Sequence, residues 1–518
     1  MATTPWKLHP DRALPAEPTQ RAIARELYES VSALPIVSMH GHIDAGAIRR
    51  NDAFGDPAEL FIIPDHYLVR MLVSQGYRQQ DLGVAPRNTD SAFETDHRRV
   101  WRRFCENWKL FRGTPTRYWM EHELVEVFGI AEEPSAATAD AIYDQLSAAL
   151  VTPEFRIRSL FDRFNIEILS TTDAPDSDLA EHAALAADGW GERVVPTFRP
   201  DGIFYPDRAA WRASVRSLAA RNGTEITDYA SFLTAVQERR LAFVAAGARA
   251  TDHGHLTADT TPLSAADAQR IFALALTGPV DTATGEAFAA NMLFESARMS
   301  VEDGLVMQLH PGVQRDHSDA MAATFGPDHG FDIPRPVDYT RGLQPLLNAF
   351  GLDPRFRIIL FTIDETVYSR ELAPIAGAYP SVRLGAPWWF LDSPGGMRRF
   401  RELVTETAGF YNTSGFVDDT RAFASIPARH DLARRIDAGY LAGLVAEHRL
   451  TLDEAVETAV DLAYTLPLTA YARRDDAGTT AQALALKPTL APKQALAPKH
   501  ALAPKQALAP KQAEGATP

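Results

Sequence analysis

The residues best suited to chemistry in this chain stand at the ends of short apolar runs. His40 and His42 lie one residue apart in "PIVSMHGHID" (35–44), and "GFVDDTR" (415–421) carries Asp419 and Arg421. Residues i and i+2 of an extended strand share a face, so each pair can point to one side of a strand end. Two imidazoles and a carboxylate form a donor set for one divalent transition metal, zinc first among them. Arg199 ends "RVVPTFR", Asp252 and His253 follow "AFVAAGARA", and His310 ends "GLVMQLH". A lone His-x-His is a weak signal, because two neighbouring histidines are as readily plain polar residues. An apolar strand before it, matched to an Asp on the last strand of a series, makes the signal strong. His310 reads equally well as a satisfied core histidine, and Arg421 as an ion-pair partner of Asp418 or Asp419.

Positioning these groups requires an alternating α/β chain. Eight apolar runs read as strands: 35–40, 166–172, 193–199, 242–250, 304–310, 356–363, 382–390 and 415–421. Helical patterns separate them, as in βαβ units, and the series predicts a distorted (β/α)₈ barrel of the TIM type. In such barrels the chemistry sits at the C-terminal strand ends. The gap between the first two strands is too long for one crossover. It holds "PDHYLVRMLVSQGY", "AFETDHRRVWRRFCENWKLF", "TRYWMEHELVEVFGI" and "TADAIYDQLSAAL", which read as helices of a large insertion at about 50–165 covering the barrel mouth. The expected organisation is an N-terminal arm (1–30), a barrel with its insertion (31–476) and a low-complexity tail (477–518). Four hexads, "TLAPKQ", "ALAPKH", "ALAPKQ" and "ALAPKQ", run from Thr489 without a break. A proline in every hexad forbids a continuous helix, so a disordered or semi-extended tail is expected.

Composition narrows the function. The net charge is −15, which argues against a nucleic-acid partner, since phosphate binding is dominated by Lys and Arg. No run of about 18 apolar residues occurs, and the N-terminal stretch has charge and proline where a signal peptide needs apolar residues. A cytoplasmic protein without membrane contact is expected, and a homo-oligomer is left open. The single cysteine, Cys105, allows no internal disulfide. Lys7 and Lys109 are the only lysines before Lys487. Neither is placed to bridge two metals from a central strand.

At this point the chain resembles uronate (glucuronate) isomerases, divergent members of the amidohydrolase superfamily. The stretches that carry the resemblance are "DHYLVRMLVSQG", "TPEFRIRSLFDRFNIEILSTTDAP", "VVPTFRPD", "TDHG", "MQLHPG", "APWWFLDSPGGM" and "DDTRAF", in family order. The resemblance implies one divalent metal held by His40, His42 and Asp419. It implies that His66 and Tyr67 reach the substrate from the insertion, that Arg199 and Arg421 address its carboxylate or developing enolate oxygen, and that Trp388 and Trp389 wall the pocket. The chain departs from the family at Ser38, at "DDTR" and at "FTIDET".

The implied reaction is aldose–ketose isomerisation of a hexuronate, D-glucuronate to D-fructuronate or D-galacturonate to D-tagaturonate. It needs a base at C2, stabilisation of an enediolate and a clamp on the distant carboxylate, a task suited to the planar guanidinium of Arg199 or Arg421. Asp419 is the candidate for proton transfer, alone or through metal-bound water, with Tyr67 or His66 assisting at the sugar oxygens; Asp419 orienting while water or a histidine takes the proton, and a hydride shift, are the alternative routes. The alternatives are a mononuclear metal-dependent hydrolase or deaminase of the same superfamily, and a binding protein that has lost turnover.

Overall fold

The computed structural model describes residues 5–88 and 90–473; the repeats of the expected tail lie outside the described residues. Six of the eight expected runs contain a parallel strand, and the fourth meets one only at Ala250. β1 (Ile36–Ser38), β2 (Ile166–Ser170) and β3 (Val194–Val195) form one sheet in the order β1-β2-β3. β4 (Ala250–His253), β5 (Val306–Leu309), β8 (Ile358–Leu360) and β9 (Val382–Leu384) form a second, in the order β4-β5-β8-β9. Between β5 and β8, β6 (Val313–Gln314) and β7 (Ile333–Pro334) make a short antiparallel pair. Helices cover the parallel strands, which is why most of them, β4 excepted, read as largely apolar runs.

Backbone bonds join the sheets at Phe198 and tie β9 and the residues just after β1 to the 413–420 segment. Phe198 bridges in parallel both to Asp173 and to Thr251, joining the first sheet to the second. Leu384 bridges to Thr413. On the far side, the Asp419 N–H donates to the His40 carbonyl at 3.2 Å and the His42 N–H to the Thr420 carbonyl at 2.9 Å.

Two expected strands need correction. Residues 242–245 belong to the helix Tyr229–Ala245, because Phe232, Val236, Arg240 and Phe243 are buried at helical spacing, and the strand proper is Ala250–His253. Residues 415–421 form no regular strand. Asp419 has φ 42°, the left-handed region, which breaks the alternation expected to put Asp419 and Arg421 on one face.

The insertion is helical as expected, with helices at His66–Val73, His97–Glu106, Pro115–His122 and Ala139–Leu150 among others. Trp101, Phe104, Trp108 and Phe111 recur every three or four residues, and all are buried. The Trp101 indole N–H donates to the Ala139 carbonyl at 2.9 Å, so this bulky ring is buried without an unpaired donor. The N-terminal arm also contributes structure: helix Pro18–Val31 packs on helix Ile426–Ala446, burying Ala24, Leu27 and Val31. No helix among the described residues is long and apolar enough to cross a membrane.

Candidate active site

A cavity of about 680 Å³ opens at the C-terminal ends of the parallel strands. It is lined by His40, His42, His66, Tyr67, Arg199, Asp252, His310, Trp388, Trp389, Asp419 and Arg421 from the sequence reading, but not by His253.

At its floor, the Nε2 atoms of His40 and His42 lie 3.2 and 3.0 Å from Asp419 Oδ1. The two rings meet edge to face at 5.4 Å. Asp419 Oδ1 is nevertheless a buried oxygen without a hydrogen bond, because neither imidazole is directed along a hydrogen-bonding line to it. Three donor atoms that crowd together without bonding to one another suit a shared cation. Ligand atoms about 2.0–2.1 Å from a tetrahedral zinc lie roughly 3.3 Å apart, close to the spacings found here. The other oxygen, Oδ2, accepts the Trp388 indole N–H, so Trp388 does more than wall the pocket. Burial pushes the Asp419 carboxyl up, but the flanking imidazoles outweigh it and hold it well below the usual carboxylate range.

A second buried chain lies beside this cluster. Arg199 donates from Nε to Asp201 at 3.1 Å and pairs through Nη1 with Asp252 at 3.2 Å. Asp252 Oδ1 is 2.8 Å from His310 Nδ1, and the His310 ring stacks on His40 at 4.5 Å. His310 Nε2 is buried with no partner. Burial lowers the His310 pKa, whereas Asp252 is held well below its ordinary range by Arg199, His40 and His310 despite its own burial. Gly254 allows this packing: its N–H reaches both oxygens of Asp201 at 3.1 Å, and a Cβ there would stand 2.8 Å from Asp201 Oδ2 and 2.9 Å from Arg199 Nη2.

The insertion supplies the opposite wall. Asp65 caps helix His66–Val73, accepting from the N–H groups of Tyr67 at 2.7 Å and Leu68 at 3.2 Å, a cap worth about 1 kcal/mol. This fixes His66 and Tyr67 in the first turn, with rings stacked at 4.3 Å and His66 facing Trp389 at 6.0 Å. Burial drives the His66 pKa down and the Tyr67 phenol well above its ordinary value. Trp389 itself has φ 54°, turning the chain out of the strand direction after β9.

Arg421 pairs neither with Asp418 nor with Asp419. Its guanidinium bonds Asp328, from the segment between β6 and β7, and this holds the Asp328 carboxyl low against its burial. Asp328, Arg315 and Arg208 also line the cavity, and the sequence reading did not single them out. The Asp65 cap was recoverable from an Asp directly before the "HYLV" helix pattern. The Asp328–Arg421 pair spans 93 residues and leaves no local signature.

Parallel strands that converge a His–His–Asp donor set and several arginines on one cavity define an α/β enzyme with a candidate metal centre. The chain belongs to the glucuronate isomerase family, whose sequence profile matches residues 19–469. A uronate isomerase of Rhizobium meliloti (strain 1021) is 53% identical over 464 residues, covering 90% of this chain and 99% of that protein. One of Phenylobacterium zucineum is 52% identical over 481 residues, covering 93% and 100%. Among solved structures, a glucuronate isomerase from Caulobacter crescentus superposes with a TM-score of 0.88 at 49% identity, covering 91% of this chain and 98% of that one. A uronate isomerase from Thermotoga maritima gives 0.82 at 29% identity, covering 90% and 100%.

Proposed function

We propose that this protein interconverts a hexuronate aldose and its 2-ketose, D-glucuronate and D-fructuronate or D-galacturonate and D-tagaturonate, using one divalent metal ion, with zinc the first candidate. The observation that carries this reading is the meeting of His40, His42 and Asp419 with cavity-lining arginines in a chain about half identical to uronate isomerases. His40 Nε2, His42 Nε2 and one Asp419 oxygen would hold the metal. Bound there, a divalent cation would polarise the sugar's C1 and C2 oxygens.

The chain's own groups then divide the work. The Asp419 carboxylate, kept ionised by its imidazole neighbours, takes the proton from C2 and returns it at C1. Trp388 holds the second oxygen of Asp419, which limits rotation of the base. Tyr67 and His66 face the sugar oxygens, where the hydroxyl proton must pass from O2 to O1. His310, oriented by Asp252, presents an unpaired Nε2 to a sugar hydroxyl. Arg421 suits the carboxylate clamp better than Arg199: it is 41% exposed and carries one carboxylate partner, whereas Arg199 is committed to Asp201 and Asp252. Trp388 and Trp389 exclude water from one side of the cavity.

We also read the two parallel sheets as arcs of one closed (β/α)₈ barrel. The Phe198 bridges, the Leu384–Thr413 bridge and the backbone bonds between His40–His42 and Asp419–Thr420 support this reading. A lysine-bridged two-metal hydrolase loses ground, because among the described residues no lysine lies on a strand.

The test is to incubate metal-loaded protein with D-glucuronate and D-galacturonate in deuterated water. Ketose formation, with exchange of solvent deuterium into C1, is expected. No ketose from either sugar, together with hydrolysis of an amide or lactone panel, would overturn the proposal.

A further inference from the structure

Three parts of the cavity come from distant segments: Tyr67 from the insertion, Trp388 and Trp389 from the turn after β9, and Asp419 from the eighth segment. One residue outside the reacting set touches the support of all three. Arg429 lies in the first turn of helix Ile426–Ala446 and is 4% exposed. Its Nη1 donates to Asp392 Oδ2 at 2.5 Å, just beyond the Trp389–Leu391 turn. The same nitrogen reaches the Asp418 carbonyl at 3.3 Å, and Nε reaches Ser425 Oγ at 3.3 Å. The guanidinium lies 3.7 Å from the centre of the Trp119 ring and 6.0 Å from that of Tyr67, and Trp119 packs edge to face on Tyr67 at 5.7 Å.

The bond to Asp418 has a specific consequence. The peptide joining Asp418 to Asp419 is held at both ends, its carbonyl by Arg429 and its N–H by the His40 carbonyl. Clamping that plane holds Asp419 at φ 42°, a conformation that costs a non-glycine residue about 1–3 kcal/mol and persists only where its surroundings enforce it. We propose that Arg429 is a positioning residue of the active site: it fixes the Asp418–Asp419 peptide, and with it the Asp419 carboxylate, while seating the Tyr67 ring through Trp119. It lies at the edge of the cavity, with its guanidinium committed to Asp392 and the Asp418 carbonyl. The proposal rests on the hexuronate isomerase reading above.

Four proteins test it: wild type, Arg429→Lys, Arg429→Met, and the double variant Arg429→Met/Asp392→Asn, which leaves no unpaired buried carboxylate. Each is assayed for kcat and KM on D-glucuronate, for bound zinc, and for melting temperature. The double variant is expected to fold and to keep KM within about threefold of wild type, but to lose about 10²-fold in kcat, the scale of a displacement of about 1 Å in a reacting group. Arg429→Lys, whose ammonium can meet Asp392 but cannot fork between it and the Asp418 carbonyl, is expected to fall between the two. If the double variant recovers wild-type kcat, Arg429 only neutralises Asp392 and the proposal is overturned. It is also overturned if kcat falls only in proportion to lost zinc or lost folded protein, or if all variants match wild type. A wild-type protein inactive on both hexuronates would instead refute the functional reading, and zinc content with melting temperature would then show only whether Arg429 supports the fold.

Discussion

Two half-buried aspartates, Asp419 and Asp431, meet opposite fates. Each is held far below the ordinary carboxylate range despite burial, which by itself would raise it. Around Asp431 both carboxylate oxygens accept hydrogen bonds, and the His122 imidazole stands 3.7 Å from Oδ2. Tyr28 donates to Oδ1, Tyr118 to Oδ2 at 3.1 Å, Arg12 to Oδ2 at 2.9 Å, and Arg435 to both oxygens at 3.1 and 2.9 Å. These groups tie the N-terminal arm and the insertion to helix Ile426–Ala446. Around Asp419 two imidazoles crowd an oxygen that neither bonds. A satisfied buried charge fixes the fold, whereas an unsatisfied one, costly unless something fills the gap, marks where a ligand belongs.

Substitution should separate the two. Asp419→Asn is expected to reduce hexuronate turnover by about 10³-fold or more while the protein still folds, as read by steady-state kinetics beside thermal melting. An active Asp419→Asn protein would break the contrast. Asp431→Ala strips one partner from a buried ionic network and should cost about 3–5 kcal/mol of stability, measured by urea unfolding, with kcat per folded molecule little changed. The pH dependence sharpens this. Because the folded-state pKa of Asp431 is depressed, its contribution is complete above its unfolded value near pH 4 and shrinks as pH falls below that. The stability gap between wild type and Asp431→Ala should therefore narrow in acid.

A third carboxyl gives the smallest expected effect and the opposite sign. Glu123 lies at the start of the π-helical turn Glu123–Val127, and burial, with Asp65 nearby, raises its pKa to about 8. The folded protein then keeps a proton that the unfolded chain loses above pH 4.5. Stability should fall as pH rises between those values and level off beyond pH 8. Glu123→Gln should remove that slope, so its melting temperature relative to wild type should rise from pH 5 to pH 8. A constant offset across that range would show that Glu123 ionises normally.

Much of this architecture is legible locally. The insertion helices appear because Trp101, Phe104, Trp108 and Phe111 recur with helical spacing. β1, β2, β5 and β8 appear because strands covered on both faces are largely apolar, their only charged or amide residues being the exposed Glu167 in β2 and the buried Gln308 in β5. The fourth strand is misplaced for the converse reason. "ATDH" looks polar, yet all four of its residues are buried, its Asp252 paired with Arg199 and hydrogen-bonded to His310, while the apolar "LAFVA" before it continues a helix. Burial of a charge depends on partners supplied by other strands, and no local pattern announces them.

The sequence by itself determined the chemistry available: His40, His42 and Asp419 as donors, arginines instead of lysines as cations, and a βαβ series that places such residues at strand ends. Side-chain type and periodicity are local properties, so they can be read from the chain. Tertiary structure alone decided which groups remain free to act. It committed Arg199 to Asp201 and Asp252, gave Arg421 to Asp328, aimed Trp388 at Asp419 and put Arg429 behind the Asp418–Asp419 peptide. Each of those assignments is a contact between segments distant in sequence, fixed by how the helices and strands pack.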